Sequence, residues 1–523
     1  MAKFVSLVLL ALLSLLGFAL GTHTVAEALH YAPALGPAWG TLGGTPVYAP
    51  WAWLEWMRFE RVAPEAFRTA SGMATLGPFL GVLVVAAIAL RRRRPKASTS
   101  HGSSRWATTA EMKSAGLLQP AGVVLGQADD ARYRTRLVGN SRRITMDRGA
   151  PLLRHDGPEH VMCFAPTRSG KGVGLVLPTL LSWPHSVLVY DIKKENWSLS
   201  AGWRRQFSRV WRFEPTSPDS LRFNPLLEIR KGLLEFKDTQ NIADILVDPN
   251  GEKQSRDHWQ TTAHTLLTGA ILHVLYAEQD KTLAGVAAFL SDPSRRQFET
   301  LRRMLETPHL GPNQPHSGIA QAAREMLNKS ENELSGVMST ALACLGLYRD
   351  PIVGRATSAS DFRIADLMNA DVPVSLYLVV PPGDLTRTRP IIRLMLNQIA
   401  RRLTESMEFG DKKAYRHRLL LLLDEFPSLG RLDFFQSALA FSAGYGLKSM
   451  MIAQSLNQLE EAYGQHNSIL DNCHVRVTYA SNDDKTSRRV SDLLGQTTVV
   501  RKQTSYSGSG LFLSNRTESE QEH

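Results

Sequence analysis

The chain has 523 residues, with 60 Lys and Arg against 49 Asp and Glu, for a formal net charge of +11. That length excludes a single hydrophobic core and predicts two or three folding units. The basic balance favours polyanionic partners, either nucleic acid or anionic lipid, although a well-solvated surface carries such a charge equally well.

The apolar residues are unevenly spread. Residues 4–26 contain no Asp, Glu, Lys or Arg, and 4–20 are almost wholly Leu, Val, Ala and Phe. A bilayer core needs about 20 such residues in a helix. Lys3 followed by an apolar run also fits a cleaved signal peptide. A second uncharged run, 69–90, argues for retention of both, and it stops abruptly at Arg91, Arg92, Arg93 and Arg94. Four adjacent arginines at a helix end are a positive-inside signal, so the long C-terminal part is expected in the cytoplasm. The predicted anchor is therefore 1–95, with helices over about 4–24 and 70–90 and an external loop 25–69. Trp39, Trp51, Trp53 and Trp56 lie in that loop, where they fit either an aromatic belt at the membrane surface or the core of a small folded knob.

Past the membrane, residues 91–148 hold 13 Lys and Arg against 4 acids. Such a stretch is attracted to anionic lipid by about 1 kcal/mol per nearby charge. Residues 95–104 read as a Ser-rich hinge, and 96–150 as a basic linker or stem. The cysteines Cys163, Cys344 and Cys473 lie far apart with no zinc-type spacing, and read as reduced, partly buried thiols.

The apolar run 160–165 reads as a buried strand. Pro166, Thr167, Arg168, Ser169, Gly170, Lys171 and Gly172 follow, and then Val173 opens a helix-like stretch. Strand, loop and helix in this order resemble the phosphate cradle GxxxxGK[ST], whose main-chain N–H groups face phosphate oxygens while its lysine meets the β- and γ-phosphates. Two positions depart from the pattern. Ala165 replaces the first Gly, a mild change if its φ is not positive. Gly172 replaces the Ser or Thr whose hydroxyl usually holds Mg²⁺.

Downstream, Leu419–Leu423 is a run of five leucines closing in Asp424 and Glu425. A buried parallel strand delivers its last side chains to the crevice at its C-terminal edge. There Asp424 can bind Mg²⁺ directly or through water, and Glu425 can orient the attacking water of ATP hydrolysis. A further strand, 448–453, ends in Gln454, which is either a solvated strand end or a sensor of the γ-phosphate. Strands also read at 186–191 and 374–380. Strands alternating with helical stretches predict an α/β fold with a mostly parallel, doubly wound sheet.

These residues resemble the TraG-type coupling proteins of conjugation systems, within the RecA/FtsK-like motors. The carriers are the loop 165–172, Asp191-Ile192-Lys193-Lys194-Glu195, Phe223-Asn224-Pro225-Leu226, Asp424-Glu425-Phe426-Pro427-Ser428-Leu429-Gly430, and Gln454-Ser455. The two-helix anchor agrees in position. The resemblance implies an inner-membrane, homo-hexameric P-loop ATPase using ATP and Mg²⁺. It would recruit relaxase-bound DNA, expected to be single-stranded, and feed it into a type IV secretion channel. It makes Lys171 the phosphate lysine, Asp424 and Glu425 the metal and water carboxylates, and Gln454 the sensor. Related motors often place an arginine shortly before the Gln strand, where it reaches the neighbouring subunit's ATP; here 441–448 contains none, Lys448 is a poor substitute for a planar fork, and Arg431, Arg488 and Arg489 are the alternatives.

The resulting division is the anchor 1–95, the stem 96–150, a P-loop nucleotide-binding domain at 151–236 and 351–500, an all-α insertion at 237–350, and a polar C-terminal tail at 501–523. Two alternatives share these features: a docking receptor that binds nucleotide and DNA without its own turnover, and a receptor for secreted protein effectors.

Overall fold

The computed structural model describes residues 2–92, 102–128, 136–138, 141–143, 151–251, 256–405, 415–498, 500–507 and 515–522. The chain divides into two compact units: Met1–Ser104 with Gln496–His523, and Arg105–Gly495.

In the first unit, helices Ala2–Ala28 and Pro64–Arg92 pack side by side as a hairpin. Small residues line the seam. A Cβ on Gly17 would lie 2.5 Å from the Met73 carbonyl oxygen, and one on Gly77 2.6 Å from that of Leu13. Such residues let helix backbones approach closely where no hydrophobic drive exists between them. Leu10–Ala28 and Pro64–Ala86 are long and apolar enough to cross a membrane. Two of the four indoles in the loop 25–69 form the small core that one of the two readings expects. Trp53 and Trp56 are buried with Val25, Leu35 and Phe67, and Trp56 Nε1 donates to Leu35 O at 2.9 Å. Trp39 and Trp51 stay exposed, paired edge to face at 5.7 Å. Arg93, Arg94 and most of the hinge 95–104 lie outside the described residues. In the tail, Val500–Ser507 pairs antiparallel with Asn515–Glu522.

In the second unit, seven strands form one sheet: β1 Val161–Phe164, β2 Ser186–Asp191, β3 Arg209–Phe213, β4 Val374–Val379, β5 Leu419–Leu423, β6 Leu447–Ala453 and β7 Val475–Thr478. Their order is β7-β1-β6-β5-β2-β4-β3. Every neighbouring pair is parallel. The inner strands are buried along their whole length because both faces are covered, and most of their residues are apolar. The leucine run of β5 shows this directly: Leu419, Leu421 and Leu423 enter the core on one face, and Leu420 and Leu422 the core on the other. The edge strand β7 alternates half-buried and exposed residues instead.

Between β3 and β4 the chain is helical, from Glu235–Val247 through His258–Ala277, Leu283–Leu290, Gln297–Glu306, Ser317–Leu327 and Glu331–Cys344 to Pro351–Ala356. These helices share one continuous core with a face of the sheet. Polar side chains set their starts: Asp257 and Gln260 form a reciprocal cap, and Ser330 caps Glu331–Cys344.

Within the stretch read as a stem, Val123–Gln127 is a strand, paired antiparallel with Leu152–His155. Val123 and Val124 are fully buried. Their apolar run is only Val123-Val124-Leu125, too short to stand out from a linker by pattern.

Candidate phosphate-binding site

The site is assembled at the C-terminal edge of the sheet, where β1, β5, β6 and β2 end. At the end of β1, Ala165 N–H donates to Ala453 O at 2.9 Å, which locks the start of the loop to β6. Ala165 is not among the residues with positive φ, so the missing first glycine costs no backbone strain. Positive φ falls instead at Arg168 (63°) and Gly170 (86°). The helix that follows begins with a wide π turn, Gly172–Val176, and continues as Leu177–Ser182. Leu177 N–H reaches back five residues to Gly172 O. Pro178 comes next and has no N–H to continue a regular ladder. A Cβ on Gly174 would lie 2.9 Å from Tyr479 Oη, so the turn packs closely against the residue following β7.

Thr167, Arg168 and Gly170 are exposed along the rim and Pro166 is half-buried. Val173 turns its side chain to solvent. Ser169 Oγ is buried and has no hydrogen-bond partner. A buried hydroxyl left unpaired is costly, and a bound oxyanion would satisfy it.

Lys171 meets the acidic pair that closes β5. Its Nζ lies 2.9 Å from Asp424 Oδ1 and 2.7 Å from Glu425 Oε1. Gln454, at the end of β6, donates from Nε2 to Glu425 Oε2 at 3.1 Å. The main-chain N–H of Gln454 is in turn held by Gln458 Oε1 at 2.9 Å. Burial opposes the charge on Lys171, but Asp424 and Glu425 outweigh it and hold the ammonium above its ordinary pKa. Glu425 adopts a left-handed conformation, φ 57° and ψ 45°. Non-glycine residues pay for that geometry, and they keep it where surrounding contacts over-determine it.

Asp191 closes β2 and is 1 % exposed. Burial pushes its carboxyl pKa up, opposed by the N–H groups of Trp197, Asn196 and Lys193, while the Asp424 charge adds to the rise. One ammonium thus faces two carboxylates, with a third acid close enough to be felt. This excess of oxygen ligands and negative charge suits a divalent cation such as Mg²⁺, which takes one or two protein carboxylates and fills its shell with phosphate oxygens and water.

The four residues predicted at the ends of three strands, Lys171, Asp424, Glu425 and Gln454, therefore converge. Lys448 does not join them. It lies at the opposite end of β6, 2 % exposed, and donates to His155 Nδ1 at 2.7 Å and Gly157 O at 2.6 Å. Its ammonium is thus taken up by contacts within its own chain. Arg431 is paired with Asp433. Arg488 and Arg489 lie on helix Asp484–Leu494. Sequence reasoning missed Ser169 as an orphan and missed Arg393, a buried cation behind the acidic turn. The available signal for Arg393 was a lone charge inside Ile391-Ile392-Arg393-Leu394-Met395.

The model of one protein family, Type IV secretory system Conjugative DNA transfer, matches residues 105–523. The chain is 44 % identical over 513 residues to a conjugal transfer protein TraG of Escherichia coli, covering 94 % of this chain and 79 % of that protein. It is 31 % identical over 425 residues to protein VirD4 of Agrobacterium fabrum, covering 79 % and 59 %. Among solved structures, the unbound bacterial conjugative coupling protein TrwBdeltaN70 aligns with a TM-score of 0.55 at 17 % identity, over 80 % of this chain and 84 % of that one. Plasmid coupling protein TrwB in complex with ADP and Mg²⁺ aligns with a TM-score of 0.53 at 17 % identity, over 76 % and 84 %. At that identity the likeness shows the fold.

Proposed function

The chain belongs to the type IV secretory system conjugative DNA transfer family, and from that premise we propose that it is an inner-membrane, ATP-driven coupling protein that recruits relaxase-bound DNA and drives it into the secretion channel. The observation that carries this reading is the convergence of Lys171 with Asp424 and Glu425, at 2.9 and 2.7 Å, on the edge of a parallel sheet. Binding of ADP and Mg²⁺ by TrwB, which shares the fold, supports it.

In this reading the loop 166–173 cradles the phosphates of ATP with its main-chain N–H groups, and Lys171 leaves the carboxylates for the β- and γ-oxygens. Asp424 would hold Mg²⁺, which when bound neutralises charge on the phosphate oxygens. Glu425 orients the attacking water, and Gln454 fixes the second oxygen of that carboxylate. Ser169 Oγ supplies a hydroxyl near the place where Gly172 lacks one. The helices Ala2–Ala28 and Pro64–Arg92 anchor the chain, with the sheet-bearing unit in the cytoplasm. The helical insertion, read at 237–350, meets the DNA–protein substrate. Six copies form the working ring, with nucleotide bound between neighbours.

Gly172, and the confinement of Lys448, favour a second reading, a docking receptor without its own turnover. Phosphate release from the detergent-solubilised full-length protein, with and without single-stranded DNA, separates the two. The motor reading predicts release that DNA accelerates, with the stimulation fading steeply as salt rises because phosphate contacts release counterions. Nucleotide binding with no turnover in the assembled protein would leave the receptor.

A further inference from the structure

Arg393 sits in the middle of helix Leu385–Leu403 and is 2 % exposed. Among the described residues no carboxylate pairs with it. It donates instead to main-chain carbonyls of two separate turns. From Nη1 it reaches Leu429 O at 2.8 Å and Arg431 O at 2.7 Å, both on the turn that carries Glu425. From Nη2 it reaches Asp248 O at 3.4 Å. Asp248 is the residue at which helix Glu235–Val247, the first of the helical insertion, ends. Its carbonyl also accepts from Gly251 N–H at 3.3 Å and lies at a helix C-terminus, where a cation is favoured.

The two turns also touch directly. Gly430 and Gly251 both have positive φ, 69° and 68°. A Cβ on Gly430 would lie 2.1 Å from Asn250 O, and one on Gly251 would lie 2.3 Å from both Arg393 Nη1 and Arg431 O. No side chain fits between them, so the joint is backbone against backbone with one guanidinium through it. A cleft of about 450 Å³, bordered by Asn250, Arg389, Ser428 and Gln458, opens beside the joint.

We propose that Arg393 is a positioning residue that clamps the Glu425 turn to the end of helix Glu235–Val247, so that a change at the nucleotide site is transmitted to the helical insertion. A planar fork suits the task, because its several donors point in fixed directions and reach carbonyls of two segments at once. The same clamp holds the turn in which Glu425 keeps its left-handed backbone. The inference rests on the site binding nucleotide; it does not depend on hydrolysis.

The test is amide hydrogen exchange on the solubilised full-length protein, with and without a non-hydrolysable ATP analogue. In the wild type, the analogue is expected to change exchange in 235–251 as well as at the loop 165–173. Arg393→Met should bind the analogue within about threefold of wild type, respond at 165–173, and lose the response at 235–251. Arg393→Lys should restore part of it. If the protein hydrolyses ATP, Arg393→Met should lower kcat by about tenfold or more and leave KM within about threefold. Gly251→Ala attacks the joint from the side remote from the nucleotide, and is expected to show the same separation should Arg393→Met fail to fold. A wild type in which bound analogue leaves 235–251 unchanged overturns the clamp, and so does a wild-type response in Arg393→Met or Gly251→Ala. A wild type that binds the analogue and responds, yet never releases phosphate, removes the motor reading and leaves the clamp standing.

Discussion

The chemistry of the site depends on a few side chains whose surroundings would be unfavourable without each other. Glu425 holds a backbone conformation that costs on the order of 1–3 kcal/mol. Lys171 and Gln454 each take one of its carboxylate oxygens. Such charge-assisted contacts are worth about 1.5–3 kcal/mol each, enough to offset the strain. Replacing Lys171 by Ala removes both the ion pair and the phosphate contact. Nucleotide affinity should fall roughly ten- to a hundredfold, the equivalent of one such contact. Titration of a fluorescent ATP analogue measures it, and an unchanged affinity would place the site elsewhere. Lys171, Asp424, Glu425 and Gln454 were legible because each ends or follows a strand with a recognisable pattern. The left-handed φ of Glu425, the orphaned Ser169 hydroxyl and the role of Arg393 were not. All three arise from contacts between segments distant in sequence.

Among the elements, the helical insertion carries a chain of histidines whose tautomers follow from their partners. His316 Nδ1 accepts from the N–H groups of Gly318 and Ile319 and so caps helix Ser317–Leu327. Its Nε2 then carries the proton that faces Glu235 Oε1 at 3.0 Å. His309 Nδ1 accepts from His316 N–H, so its Nε2 donates to His273 Nδ1 at 2.9 Å. His273 Nδ1 is thus already an acceptor from an N–H, and a proton there would set two hydrogens face to face. Burial first, then the neighbouring His309, Arg303 and Arg295, lowers the His273 pKa to about 3. Burial likewise lowers His160 to about 4, its ring held between Leu439 O and Ser449 N–H. In the unfolded chain these groups titrate near 6.5. Between the two values the unfolded state binds the extra proton, so stability is full above about pH 6.5 and is lost as pH falls towards 4. The His160 shift alone corresponds to a loss on the order of 3 kcal/mol. The thermal midpoint should be flat from pH 8 to 6.5 and drop below it; a midpoint unchanged down to pH 4.5 would show that these rings are not held neutral. At this scale the helices around 259–267 and 331–338 were legible from their periodicity. Strand Val123–Gln127 was hidden by its short apolar run, and its partner Leu152–His155 supplies what the pattern lacked.

For the whole molecule, the sequence revealed a parallel sheet and two apolar helices, because continuous apolar runs and charge-free stretches are local signals. It did not reveal the strand order β7-β1-β6-β5-β2-β4-β3. That order brings β5 beside β6 on one side and β2 on the other, and so sets Asp424, Gln454 and Asp191 side by side. The tryptophan loop resolved into a buried half and an exposed half, because only packing decides which indoles face inward. The account as a whole requires that these strand ends work as a fuel site for DNA transfer. Its most direct test is phosphate release from DNA-bound, detergent-solubilised protein carrying Glu425→Gln, measured beside nucleotide occupancy. The expected result is ATP retained at wild-type occupancy, with release slowed about a hundredfold or more. Release at the wild-type rate from that variant would contradict the account.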